Sequence, residues 1–187
     1  MKFENQKNTG YLLLGLALIV FFSRLIPHPP NFTGSLAAII FGSVVLRSWK
    51  ALIGIILAYF CSDLVINNIM YWHNEFVWLS PGFYWIFMPF VIIFLWNLLR
   101  SKKEISPLGI FGSSLFASII FFLISNFGVW SASKITYTHD LSGLMLCYFN
   151  ALPFFGYELA GTLFYSSAIF SVYWLYFYQY RINVSKG

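Results

Sequence analysis

Three ionisable side chains stand in stretches that are otherwise apolar: Arg24 in FFSRLIP, Asp63 in YFCSDLVIN and Glu158 in FFGYELAG. In hydrocarbon a charge costs several kcal/mol, so such residues turn toward the interior of a helical bundle and find partners there. With a helical rise of about 1.5 Å per residue, Arg24 falls roughly 21 Å from a helix start at Gly10. Asp63 falls roughly 18 Å from a start at Ala51, and Glu158 roughly 9 Å below a start near residue 149. All are thereby expected at one level, in the outer half of a membrane, with Arg24 paired to Asp63 or Glu158. The competing expectation is a buried ion pair that fixes helix register and holds no ligand.

Polar residues gather near the same level: His28, Asn31, Asn126 and Asn150. The stretch RLIPHPPNFTG explains two of them. Pro27, Pro29 and Pro30 cannot continue a helix and stiffen a tight connection, which holds His28 and Asn31 at the mouth of the bundle. Helix starts near residues 33 and 149, with Pro153 in the first turn of the last helix, would present free N–H groups there. Arg24, His28, Asn31, Asp63, Asn126 and Glu158 are therefore the expected binding residues for a small polar or anionic solute. As a lone histidine, His28 is equally explained by a bond to neighbouring backbone. Metal ligation by His28, His73 and His139, with Glu75, Asp140 or Cys147, lacks any spacing such as H-x-x-x-H, so no metal is assigned and no cofactor is implied.

The elements that must position these groups follow from composition. The 187 residues are 59% hydrophobic and 22% aromatic but only 9% charged, against about 25% charged in a soluble fold. The expected architecture is all-α: a single domain, 1–187, of six transmembrane helices, near 11–26, 33–46, 51–70, 83–99, 107–127 and 149–178. Lys2, Lys7, Arg47, Lys50, Arg100, Lys102, Lys103, Arg181 and Lys186 fall on one side if the N-terminus is cytoplasmic, which places both termini inside. The net charge of +5 is then a matter of topology, and no nucleic-acid partner is called for. A polar start and the lack of a small-residue cleavage site argue against a removable signal. Cys61 and Cys147 are too few for a disulfide framework.

Gly34, Ala38 and Gly42, and Gly156 with Ala160 and Gly161, are small residues expected to let helices approach closely. The aromatic runs YWHNEFVW and YWLYFYQY read as interfacial belts. There is no phosphate loop, G-x-S-x-G, C-x-x-C or H-E-x-x-H, so no enzyme is expected.

The combination R-x-x-P-H-P-P-N-F at 24–32, S-D at 62–63, N-F-G-V-W at 126–130, G-L-x-x-C-Y at 143–148 and P-F-F at 153–155 resembles a bacterial family of small integral membrane proteins of unknown function. That resemblance implies a Gly-Asp pair soon after P-F-F. Here Gly161 and Thr162 stand at the corresponding positions, with Glu158 one turn earlier. More distantly, the architecture is similar to that of the S components of energy-coupling-factor transporters. The expectation is a bacterial inner-membrane protein, in contact with lipid, that binds a small solute from the external side as the capture component of an uptake transporter with an energising module. The alternatives are an accessory subunit of a larger membrane complex, and a membrane enzyme using the outer histidines with a metal.

Overall fold

The computed structural model describes residues 6–71, 75–100, 106–133 and 135–185. Among them every regular element is helical: α1 (Gln6–Leu25), α2 (Ser35–Phe41), α3 (Trp49–Val65), α4 (Tyr84–Arg100), α5 (Pro107–Ala132) and α6 (Leu141–Ser185). Wider π-helical turns extend α2 over Gly42–Leu46 and α3 over Ile66–Met70.

Each boundary has a local cause. The last bond of α1 runs from the Ile26 amide to the Phe22 carbonyl, and Pro27 ends the helix. Asn31, at φ 64°, turns the chain back through the left-handed region that Asn tolerates. Ser48 caps α3 by accepting from the Lys50 amide at 3.3 Å. Ser106 caps α5 by accepting from Gly109 at 3.1 Å, with Pro107 at the first helical position. Asp140 accepts from the Gly143 amide at 2.8 Å and so caps α6.

That cap corrects the expected start of the last helix. It begins at Leu141 rather than near 149, so Pro153 lies within α6 and not in its first turn, and no free N–H groups are presented at 149. An expected loop over 129–148 shrinks accordingly, because α5 runs on to Ala132. At 45 residues α6 is about 67 Å long.

The short helix α2 is the hub. All its residues are buried, and it packs against each of the other five helices. Those five form an open ring in which α1 touches α3, α3 touches α4, α4 touches α5 and α5 touches α6. Around α2 the packing is close. A β-carbon on Gly42 would stand 2.9 Å from that of Ala51, and one on Gly34 would stand 2.7 Å from Ile19. These two glycines serve internal packing as expected; Gly156 does not, since nothing lies within 4 Å of an added β-carbon.

Two helices are long and apolar enough to cross a membrane, Trp49–Met70 and Pro107–Ala132; Thr9–Leu25, Ser35–Leu46 and Tyr84–Arg100 are shorter apolar helices. Polar groups point inward: Ser35, Ser43, Ser62, Asn97, Ser114, Glu158 and Thr162 are buried. Phe41, Phe90, Phe94 and Phe170 fill an apolar core, yet many other large apolar side chains point outward, as in the stripe Phe111, Leu115, Ile119, Leu123 and Phe127 along α5.

Candidate functional site

The ends of α1 and α3 and the middle of α6 bring the three charged residues to one level. Arg24, in the last turn of α1, donates from Nη2 to Asp63 Oδ1 near the end of α3. Its guanidinium carbon also stands 3.4 Å from the centroid of the Tyr59 ring, one turn before Asp63 on the same helix face. A cation over an aromatic face, with a carboxylate beside it, is neutralised and held in one orientation.

The other oxygen of Asp63 is used as well. Oδ2 accepts from the Ser80 hydroxyl at 3.2 Å, and Ser80 in turn accepts from the Asn67 side-chain amide at 2.8 Å. Asn68 fixes the same connecting segment, accepting from the Val77 amide at 2.7 Å and donating to the Val77 carbonyl at 2.9 Å. The link between α3 and α4 is thus tied down over the ion pair by the two asparagines of the π-helical turn.

Behind the pair lies a chamber of about 50 Å³ lined on its polar side by Arg24, Asn31, Thr33, Ser35, Glu158 and Thr162, and closed by Leu36, Tyr59, Phe90 and Phe121. Glu158 is 5% exposed and Thr162 is 1% exposed. Neither Glu158 Oε1 nor Thr162 Oγ1 has a hydrogen-bond partner in the protein, and neither does Arg24 Nε. Buried polar groups are nearly always paired, so orphaned atoms on the wall of a single chamber point to a guest. Asn31 is exposed and also lines the chamber, which makes it the mouth.

The space limits what can enter. A water needs roughly 10–15 Å³ of such volume, so the chamber holds a few water-sized groups, far below the roughly 300–1,000 Å³ of an ordinary organic-ligand pocket. A larger hollow of about 590 Å³ opens where the ring is unclosed, between α1 and α6, but its walls are Leu, Ile, Val, Phe, Tyr, Ala and Gly with no charged group. Volume alone favours that hollow; the polar chemistry lies in the smaller one.

Of the residues expected from sequence, Arg24, Asn31 and Glu158 line the chamber, and Asp63 grips Arg24 from outside it. His28 and Asn126 do not line it. The His28 ring donates from Nδ1 to the Pro29 carbonyl at 2.7 Å, and Asn126 donates to Phe122 one turn back at 2.8 Å, so nearby backbone claims both side chains. Asn150 reaches the Tyr137 hydroxyl at 3.5 Å. His139 bonds to the Ser133 carbonyl beside Trp130, and His73 lies outside the described residues. Among the described residues no three His, Cys, Asp or Glu side chains gather in a way that would hold a metal.

Tyr59, Thr33, Ser35, Thr162 and Ser80 were not expected. Helical spacing carried a signal for two of them, since Tyr59 precedes Asp63 by four residues and Thr162 follows Glu158 by four. Thr162 shares the chamber with Glu158, so the acid one turn before the Gly161–Thr162 pair reaches the same space as that pair. No curated protein matches the chain. The sequence profile of a family of unknown function, DUF6580, matches residues 4–184, and the chain therefore belongs to that family.

Proposed function

We propose that this is a multi-pass protein of the bacterial inner membrane, with six spans and both termini cytoplasmic, that captures a small polar solute from the external side as the binding component of an uptake system. The many large apolar side chains left exposed, beside a buried glutamate, support the membrane reading: lipid tolerates exposed leucine and gives a strong reason to hide glutamate. Arg47, Lys50 and Arg100 sit at the end opposite the chamber, in accord with a cytoplasmic placement of that end.

One observation carries the capture reading. The walls of a single chamber, reached past the exposed Asn31, hold a buried carboxylate oxygen, a buried hydroxyl and a guanidinium N–H that the protein itself leaves unpaired. Solutes of one to a few heavy atoms fit as the chamber stands, and anything larger requires the proline-bearing connection to lift. The test is binding to the purified full chain in nanodiscs, by calorimetry, across compact cations, neutral amides and alcohols, and small carboxylates. A saturable isotherm lost in Glu158→Gln, with an unchanged melting profile, supports capture; flat isotherms throughout the series count decisively against it.

The accessory-subunit reading has one feature on its side, the apolar hollow between α1 and α6. Stable co-purification with another membrane protein, together with no solute binding, would favour it.

A further inference from the structure

The charges around the chamber do not balance, and their imbalance selects the guest. Arg24 is the cation in the lining, and it is already committed: Asp63 takes its charge and the Tyr59 ring covers its face. Glu158 lies beside the Ser118 hydroxyl and carries one oxygen, Oε1, with no hydrogen-bond partner in the protein. With Glu158 ionised, two carboxylates against one guanidinium leave a single negative charge, and burial disfavours that state unless a cation accompanies it. An anion entering this space meets Glu158 with no free cation to hold it.

The ligand atoms on offer are hard oxygens. Glu158 contributes a carboxylate, Thr162, Thr33 and Ser35 contribute hydroxyls, and Asn31 contributes an amide at the mouth. Carboxylate, hydroxyl and carbonyl oxygens suit hard cations rather than the soft or borderline metals that call for His and Cys. A lone uncompensated carboxylate matches a single positive charge. The volume of about 50 Å³ takes one stripped ion and a water or two. Such a water also resolves the remaining orphan, because its oxygen can accept from Arg24 Nε while facing the ion.

We propose that the Glu158 chamber is a site for a compact alkali cation of sodium size, held by Glu158 and Thr162 with the hydroxyl and amide oxygens at its mouth. This rests on reading the chamber as a capture site, and it names the class of what is captured or co-transported there. The unpaired atoms Glu158 Oε1 and Thr162 Oγ1, each on a residue at least nine-tenths buried, are what distinguish it from a mere polar gap.

The experiment is thermal unfolding of the full chain in neutral-lipid nanodiscs as sodium chloride replaces N-methylglucamine chloride at constant ionic strength. The expected result is a saturable rise in melting temperature with sodium. Potassium should produce a smaller rise, Glu158→Gln none, and Thr162→Val a midpoint displaced at least several-fold to higher sodium. Both variants must melt cooperatively in N-methylglucamine; if Glu158→Gln does not, Glu158→Asp takes its place, with a weakened midpoint expected. A sodium response that is absent from the wild type, or is unchanged from the wild type in the Glu158 and Thr162 variants, overturns the proposal. A saturable response to formate or acetate that requires Arg24 overturns the cation assignment while leaving solute capture standing. Silence toward every ion and every compact solute removes both.

Discussion

Gly161 on α6 lies directly against the connection between α1 and α2: a β-carbon there would stand 2.9 Å from the Phe32 α-carbon and 3.1 Å from both the Phe32 carbonyl carbon and the Thr33 nitrogen. These are backbone atoms, and they cannot rotate aside. Gly161→Ala should therefore push residues 31–33 outward, opening the chamber mouth and costing about 1–3 kcal/mol, the usual penalty for overpacking. Gly156→Ala, where an added β-carbon meets nothing within 4 Å, serves as the control and should be neutral or slightly stabilising through helix propensity. Denaturation midpoints of the two variants decide the matter. Equal midpoints would mean that the connection does not rest on α6 as described.

The Arg24–Asp63 pair should behave as a buried pair does, its side chains being only 12% and 19% exposed. Asp63→Ala leaves the guanidinium with the Tyr59 ring alone and should destabilise by about 3 kcal/mol, the low end for a buried pair stripped of one partner. The double variant Arg24→Met with Asp63→Leu removes both charges and should regain most of that loss, giving a clear coupling energy in a double-mutant cycle. Additive effects in equilibrium unfolding would show the two side chains to be independent.

How far the sequence reveals this arrangement depends on which cost governs each residue. The charges are legible because a charge in an apolar helix must find a partner, but that Asp63 rather than Glu158 takes Arg24 is visible only in the structure. Their turn mates Tyr59 and Thr162 are harder to see, since a tyrosine or threonine in an apolar helix carries no such penalty. His28 and Asn126 look like site residues by type and depth, yet each has a carbonyl within reach on its own segment, and that local bond wins. The start of α6 was hidden for a related reason. Leu141–Tyr148 reads as an aromatic, glycine-bearing external loop, and only the aspartate just before it marks a helix start.

Asp140 makes that start sensitive to acid. Its carboxylate accepts from the Gly143 amide, the Thr138 hydroxyl at 2.7 Å and the Ser142 hydroxyl at 2.9 Å, and these bonds hold it below the ordinary carboxylate range. Because the folded value is depressed, the capping contribution is fully present above the unfolded value of about 3.9. It is lost as pH falls through the lower folded one. Protection of the Gly143 and Leu144 amides, relative to their intrinsic exchange rates, should fall only in that acid window in the native protein, and be low at all pH values in Asp140→Ala. Asp140→Asn, still able to cap, should keep these amides protected and lose the pH step. A step that persists in Asp140→Asn would assign it to another group.

Thr162 offers the sharpest separation of stability from binding. Its hydroxyl is buried at 1% exposure and has no partner within the protein. An unpaired buried hydroxyl costs roughly 1–3 kcal/mol, and an apolar group of the same shape relieves that cost. Thr162→Val should accordingly leave the unliganded protein as stable as the wild type or more so, while the guest that would complete the hydroxyl binds more weakly. A residue retained for packing alone gives the opposite pattern or none, because valine fills the same volume. The measurement is a pair of melting curves for each protein, one without and one with saturating guest. The stabilisation produced by the guest should shrink in the variant even as its unliganded curve stays level or moves up. A variant that is less stable without guest, and gains as much from it as the wild type, would place Thr162 in the packing of α6 against α2 and leave Glu158 to hold the guest without it.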